Sequence, residues 1–384
     1  MCKVVRIGLE PELEQLRKSL EAQAKSSLRP LAGPVDSTQA FSWELWKRVV
    51  DLGLIRLPFA ESMGGDGGSV RAYAVASAEI ASHCAVAALY PGTTIQVAMT
   101  LIEHARTPDH GELVRRLIAG DALAAWAFTE PATGSDPRQI TTRAVADGDH
   151  WVLSGTKQFI SYAAQADVAL VFARTSEKGL GAFLVDTSLP GWSVGEPSEV
   201  LSLGGTEARP VHLDDVRVAA QCLIGAPDAG FDVMLAGEAF GKIRAAAICV
   251  GIARRALEEA AAYGLLREHR GKPIAHRFPT IQAALGSAAA ITLAADALVL
   301  GCADQLDRRQ PITAQAAAAR LAASSAARES ATAALHVCGA YGLTRDMEVE
   351  RLYREAVFYD VAQGVAEIQQ IIVAREVLAG VGRR

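Results

Sequence analysis

Trp126-Ala-Phe-Thr-Glu-Pro-Ala-Thr-Gly-Ser-Asp136 is the stretch on which the reading of this chain turns, because the sequence has one character before it and another after it. Upstream, Leu13, Leu16 and Leu20 recur at spacings of three and four, as do Trp43, Trp46, Val49 and Val50, so each segment carries one apolar stripe and predicts a helix. Met63-Gly-Gly-Asp-Gly-Gly68 breaks that pattern, and Ser69 restarts it as an N-cap. Downstream, short β-branched and apolar runs at 167–173, 181–185 and 211–218 predict strands. Gly148-Asp149, Gly155 and Pro190-Gly191 supply the turns of a small, mostly antiparallel β unit.

The stretch itself combines Gly134 with Thr129, Thr133 and Ser135. It makes a loop rich in N–H and hydroxyl donors, suited to a polar ligand edge such as the pyrimidine ring of a flavin. Alone, it also reads as an ordinary polar turn. After Gly230 the composition swings to alanine with Arg on the polar faces, and 241–267 and 313–339 predict long helices whose small residues permit close packing. The organisation is helical over 1–122, β over 123–229 and helical again over 230–384, with no 20- to 50-residue repeat.

Composition removes several classes of function. A chain of 384 residues with 50% apolar content buries a substantial core, so it is no small disulfide scaffold. Its six cysteines, Cys2, Cys84, Cys222, Cys249, Cys302 and Cys338, include no C-x-x-C pair, which argues against zinc ribbons and redox dithiols and predicts reduced, mostly buried thiols and no metal site. A net charge of −5 with dispersed cations predicts no nucleic-acid stripe, and the Arg383-Arg384 tail does not alter that. The longest uninterrupted apolar run, 245–253, is short of a membrane helix, and 1–10 does not resemble a secretory signal. These observations predict a cytoplasmic protein with no membrane partner.

Two further stretches carry chemistry-bearing residues. In Tyr263-Gly-Leu-Leu-Arg-Glu-His-Arg-Gly-Lys-Pro-Ile274, a long helix ends in a cationic cluster capped by Gly271, and Arg267, His269, Arg270 and Lys272 suit either a pyrophosphate or the negative end of the helix dipole. Farther on, Gly339 and Gly342 in His336-Val-Cys-Gly-Ala-Tyr-Gly342 allow a tight passage between helices. Gln363-Gly364 breaks one helix before Ile368, Ile371 and Ile372 define the stripe of the next. This last region reads as a plain helix-turn-helix or as a backbone-mediated ligand site.

In order and spacing these pieces resemble the acyl-CoA dehydrogenase family of flavoproteins over nearly the whole chain. The matching motifs are Thr129-Glu-Pro with Gly134-Ser-Asp136, Gly155-Thr-Lys-Gln-Phe-Ile-Ser161, Arg267 with Gly271-Lys-Pro-Ile274, and Ile368-Gln with Val373-Ala-Arg-Glu376. The resemblance implies an α+β, mainly α architecture: a helical N-terminal domain, an antiparallel β middle domain and a C-terminal four-helix bundle. It implies FAD held between subunits of a homodimer or homotetramer, an acyl thioester substrate carried by CoA or an acyl carrier protein, and an electron-transfer flavoprotein or other acceptor.

Residue by residue, the resemblance places Trp126, Phe128, Thr129, Gly134 and Ser135, with Phe159, Ile160 and Ser161, along the flavin. Arg267, His269, Phe278, His336 and Gly339 fall on positions that reach the neighbouring subunit's FAD, while Gly364, Val365 and Glu367 follow the catalytic position on the cofactor side. Ser135, Gly241 and Arg244 fall beside the acyl thioester.

The departures concern the substrate. The family's proton-abstracting glutamate lies in a Tyr-Glu-Gly-Thr stretch, and this chain has Ala362-Gln363-Gly364-Val365 there. A neutral amide has no pKa near neutrality, so Gln363 cannot supply the general-base contribution, typically ~10²–10⁴-fold. The alternative position that some relatives use is Ile243, and Gly241 replaces an acidic residue. In the family the backbone N–H at this position, with the FAD ribityl 2′-hydroxyl, polarises the thioester carbonyl, and the resemblance implies that Gln363 keeps that donor. Three readings follow: acyl-thioester oxidation with a non-standard base, for which Glu238 and Asp360 are candidates by sequence proximity; a flavin monooxygenase on the same fold; and a non-catalytic FAD- or acyl-binding subunit.

Overall fold

Ser42 and Ser69 each start a helix in the computed structural model by accepting a backbone hydrogen bond, from Leu45 and Ala72 respectively, at 3.1 Å. The structure describes residues 6–104, 107–177 and 179–382. Cys2, the Arg383-Arg384 pair and part of the 1–10 segment lie outside the described residues. The first layer contains α1 (Pro11–Gln23), α2 (Arg29–Thr38), α3 (Trp43–Asp51), α4 (Val70–Ala81), α5 (Ala85–Leu89), α6 (Gly92–His104) and α7 (Pro108–Ala119). The expected stripe on α3 is only partly right. Leu45, Trp46 and Val49 are buried, but Trp43 is 58% exposed, because as the first helical residue it sits beyond the core's edge and packs edge-on against Phe41.

The middle layer consists of β1 (Ala124–Ala127), β2 (Arg143–Asp147), β3 (His150–Ile160), β4 (Val168–Arg174), β5 (Leu180–Asp186), β6 (Trp192–Val194), β7 (Arg209–Ala219) and β8 (Leu223–Ile224). The three expected strands are β4, β5 and β7. Most pairings are antiparallel, but β1 runs parallel to β4, and β2 meets β4 in parallel at Arg143 and Arg174. The sheet is therefore mixed rather than purely antiparallel, and β1, which opens the Trp126 loop, is fixed against the buried strand β4.

The helix expected from Gly241 starts earlier: α8 runs from Gly230 to Leu266, 37 residues without a break. It packs against α4, α6 and three long helices, α10 (Pro279–Asp307), α11 (Thr313–Cys338) and α12 (Glu348–Val361), and the short α9 (Ile274–Arg277) precedes α10. The last helix, α13 (Ala366–Gly382), packs on α11. Its expected stripe is not its buried face: Ile371 is 45% exposed, and Gln369 is the residue driven inside. Gly271 is not a helix cap either. The helix ends at Leu266 and a hairpin follows, β9 (Glu268–His269) and β10 (Lys272–Pro273), whose turn residues Arg270 and Gly271 both have positive φ, 51° and 74°.

Among the described residues two helical segments are long and apolar enough to cross a membrane by length and composition alone, a test that the core helix of a soluble protein also passes. One is Ala85–His104, largely buried in the core; the other is α10, with a mean hydropathy of 1.8. Alanine raises the hydropathy of α10, and a few polar residues interrupt it without lowering its average. The described cysteines are all free, with Cys84, Cys249, Cys302 and Cys338 buried.

Close helix contact depends on small residues. At Gly251 in the middle of α8, a Cβ would overlap the carbonyl oxygen of Ala78 in α4, so the two backbones nearly touch. Gly251→Val should destabilise the fold by about 1–3 kcal/mol through overpacking. The control is Gly286→Ala on α10, where a Cβ meets nothing within 4 Å; it should be neutral or stabilising by up to about 1 kcal/mol. Denaturant midpoints of the two variants check this, and equal midpoints would contradict it.

Candidate functional site

The loop after β1 is held by a buried ion pair. Glu130, 3% exposed, accepts from the backbone N–H groups of Thr141 and Thr142 at 2.7 and 2.9 Å and from both threonine hydroxyls. It also accepts from Lys157 Nζ at 2.9 Å. Lys157, fully buried on β3, donates as well to the carbonyls of Phe128 and Phe172, at 3.2 and 2.6 Å. One ammonium group thus ties the loop to β3 and β4, and the Gln158 N–H adds a bond to the Thr129 carbonyl at 2.8 Å. Burial disfavours both charges. At Glu130 the Lys157 charge and the threonine donors outweigh it and hold the carboxyl at about 2, whereas at Lys157 burial prevails and lowers the ammonium to about 8.

This clasp fixes where aromatic rings stand. Trp126 and Phe128 pack on Phe172 with ring centroids 4.9 and 5.5 Å away, while Gly134 and Ser135 stay exposed at the loop tip. Two residues beyond Lys157 the ladder between β3 and β7 slips, and Phe159 takes φ = 57°. A bulky aromatic in the left-handed region is strained, and this one is also 59% exposed. Strain combined with exposure presents a ring for something to lie against. Ile160 turns inward beside it, and Ser161 is half-buried.

Across from this loop, α8 and α6 face each other through small residues. Gly237, Gly241 and Arg244 share one face of α8, and Gly92, Gln96 and Thr100 share one face of α6. A Cβ on Gly237 would stand 2.8 Å from the Trp126 ring and 3.3 Å from Gln96 Nε2. One on Gly241 would stand 2.6 Å from Gln363 Nε2 and 3.4 Å from Gln96 Oε1. One on Gly92 would overlap the Arg244 guanidinium. The structure therefore brings Trp126, Gly241, Arg244 and Gln363 to one seam, with Gln96 in its centre.

Gln363 and Gly364, at φ = 59° and 84°, form the break between α12 and α13. The end of α12 is fixed by Arg320, 1% exposed, which donates to the carbonyls of Tyr359 and Ala362. Neither Gln96 nor Arg320 stood out in the sequence. Gln96 is one amide in an apolar helix, and Arg320 follows an alanine run like the arginines of polar faces. The glycines opposite were the available signal. Val365 is half-buried and Glu367 exposed beside this break. Glu238 and Asp360, the carboxylates nearest in sequence, face cations instead: Lys242 at 3.7 Å and Arg328 at 3.7 Å.

The other expected cofactor residues lie elsewhere. Arg267, His269, Phe278, His336 and Gly339 are exposed at the far end of the helical layer. There His269 and Phe278 are in ring contact at 5.4 Å, and Gly264 neighbours Ala275 and Val337. Between Gly241 and the end of α8 are 25 residues, roughly 38 Å of helix at 1.5 Å per residue. Within one chain these residues and the Gln363 seam are therefore widely separated. Among the described residues no three His, Cys, Asp or Glu side chains gather as a metal-ligating group.

Comparison with known proteins accounts for the whole chain. The N-terminal, middle and C-terminal domain models of acyl-CoA dehydrogenase match residues 10–121, 125–216 and 228–378. The chain is 32% identical over 376 residues to the probable acyl-CoA dehydrogenase YngJ of Bacillus subtilis (strain 168), covering 96% of this chain and 99% of that protein. It is 31% identical to the acryloyl-CoA reductase (NADH) of Anaerotignum propionicum, covering 98% and 97%. Among solved structures, butyryl-CoA dehydrogenase from Megasphaera elsdenii superposes with a TM-score of 0.93 at 27% identity, over 97% of this chain and all of that one.

Two consequences of the clasp are measurable. Lys157→Met leaves Glu130 buried without its counter-charge and should cost about 3–5 kcal/mol, read as a lowered denaturation midpoint. Because Glu130 is held below its ordinary value of 4.5, its contribution is complete above pH 4.5 and is lost as pH falls towards about 2. The double variant Lys157→Met/Glu130→Gln should flatten that acid limb of the stability curve; an unchanged limb would show that other carboxylates produce it.

Proposed function

This chain belongs to the acyl-CoA dehydrogenase family of flavoprotein oxidoreductases, and from that premise we propose that it oxidises an acyl thioester with FAD as the hydride acceptor, without a carboxylate at the family's base position. The observation that carries the reading is the seam itself. Gln363 faces Gly241 and Gln96 across from Trp126, so the reacting carbon would be surrounded by amides and an indole rather than by a carboxylate.

The residues present fit FAD. Phe159 offers a strained, exposed aromatic ring beside a loop tip whose Gly134 and Ser135 leave backbone donors free for a polar ring edge. When bound, FAD supplies the two-electron acceptor. This chain's residues do the rest. The Lys157–Glu130 clasp sets the height of Trp126 and Phe128, and Gly237 and Gly241, by lacking a Cβ, let Trp126, Gln96 and Gln363 converge where the acyl part would meet α8. The N–H of Gln363, held at φ = 59° by the Arg320 anchor, is the donor for the thioester carbonyl. That Glu238 and Asp360 already face cations supports a proton acceptor outside both positions, or oxidation at a carbon whose proton needs no strong base.

The cluster at Arg267, His269, Phe278, His336 and Gly339 supports a homo-oligomer in which a second copy brings that end to the exposed Phe159 face. The separation of roughly 38 Å along α8 keeps one chain from doing both. An acyl carrier protein as thioester carrier and an electron-transfer flavoprotein as oxidant both suit this reading, as does a cytoplasmic location.

Anaerobic flavin absorbance, followed with a panel of CoA and carrier-protein thioesters, tests the proposal. Wild type should be bleached by at least one member, and Gln363→Glu should accelerate bleaching by simple acyl-CoAs by roughly 10²–10⁴-fold. A protein that takes up no FAD would support a non-catalytic subunit. Reductase-dependent oxygen consumption without thioester bleaching would support the monooxygenase that the neutral Gln363 also suits.

A further inference from the structure

Arg244 is 3% exposed, and its Nε and Nη1 have no hydrogen-bond partner. No carboxylate among the described residues pairs with it, although the other buried arginines of the helical layer all have one or a carbonyl: Arg254 meets Asp296, Arg255 meets Glu259 and Glu348, Arg351 meets Glu348, and Arg320 meets two carbonyls. An isolated buried guanidinium is costly, and the molecule avoids it everywhere else in that layer.

The groups around Arg244 have the same bias. Its charge acts on three fully buried phenols, Tyr73 of α4, Tyr162 after β3 and Tyr359 of α12, each of which burial keeps protonated well above its ordinary value. The hydroxyls of Tyr162 and Tyr359 are unpartnered. One helical turn along α6 from Gly92, Gln96 is 2% exposed and its Nε2 is also unpartnered. Every one of these groups has a proton to donate. What is missing at the guanidinium is a negative charge. Gly92 lets the guanidinium lie directly against α6, and Gly241 lets the Gln363 amide lie against α8, so the seam runs from Arg244 past Gln96 to Gln363 and Trp126, where the thioester would react.

We propose that Arg244 is a specificity-determining residue that receives a carboxylate at the far end of the acyl group, so that the preferred substrates are thioesters of short dicarboxylic acids rather than of plain fatty acids. The inference rests on the thioester reading above. Tyr162, Tyr359 and Gln96 complete the acceptor site as hydroxyl and amide donors, and a charge-assisted bond of this kind replaces the water that an unsubstituted acyl chain would leave stranded on the guanidinium.

The test uses the FAD-loaded, full-length protein. Succinyl-, glutaryl- and adipoyl-CoA are titrated calorimetrically against butyryl-, valeryl- and hexanoyl-CoA, and flavin bleaching is recorded in parallel. Wild type should bind at least one carboxylated ester about tenfold or more tighter than its plain counterpart. Arg244→Met should abolish that preference while keeping FAD content and keeping or raising the thermal midpoint, since it removes an unpaired buried charge; Arg244→Lys should restore part of it, and Tyr359→Phe should weaken it. Bleaching by plain and carboxylated esters alike, or a preference that survives Arg244→Met, overturns the inference and leaves the proposed function standing. A carboxylate preference that depends on Arg244 without bleaching by any ester sustains the inference and removes the oxidation. The absence of carboxylate-dependent binding at every length overturns it outright.

Discussion

A single ammonium group inside the sheet, Lys157 Nζ, is the constraint on which the rest of the site depends. It has no exposure to water and it bonds one carboxylate and two backbone carbonyls, one from each of the segments it joins. A buried ion pair gains little net stability over an apolar contact of the same shape, because desolvation offsets much of the Coulomb attraction. What it enforces is position. An apolar side chain at 157 would tolerate several heights of the Thr129 loop, whereas a cation with three fixed acceptors tolerates one. The Trp126 and Phe128 rings, and the slipped register that exposes Phe159, all take their places from that geometry.

The second constraint is the length of α8. A helix of 37 residues is a rigid ruler, and it places the Gln363 seam near one end and the Arg267 hairpin at the other. Small residues along it let α4 and α6 approach closely enough for side chains of only moderate length to cross the gap. The same economy that makes the layer tight also leaves the far cluster outward-facing, with Leu266, Tyr341 and Leu343 exposed around it. One sequence thus holds the Gln363 seam and the Arg267 hairpin far apart on a single helix.

The sequence was most legible where local rules dominate. The serine caps, the glycine break before α4, strands β4, β5 and β7, and the long α11 follow from periodicity and turn residues alone. It was less legible where partners come from far along the chain. Nothing near Lys157 indicates that its partner is Glu130, and the 23 residues after Gln96 to the end of α7 do not indicate that Gln96 will face Gln363, 267 positions later. Gly271 was misplaced because a glycine after a helix fits a cap and a hairpin equally, and only the conformation of Arg270 decides. Trp43 and Ile371 were misplaced because periodicity gives a stripe without saying where the core ends. The family resemblance supplied the pairing of distant motifs that local reasoning could not.

The missing carboxylate and the unpaired arginine belong to one electrostatic arrangement. Gly241 and Arg244 are three residues apart, about 4.5 Å of helix rise, and the Gln363 side chain stands over Gly241. A glutamate at 363 would put a negative charge within roughly a helical turn of the guanidinium, in an interior where charges interact strongly. With glutamine there, that charge is absent and no described carboxylate pairs with Arg244, whose Nε and Nη1 stay unpartnered. On the proposed reading, glutamine at the position of the family's base therefore also changes what the seam attracts. A carboxylate beside the reacting carbon would repel an anionic acyl group as it enters, whereas an amide in that place with Arg244 beyond it would favour one.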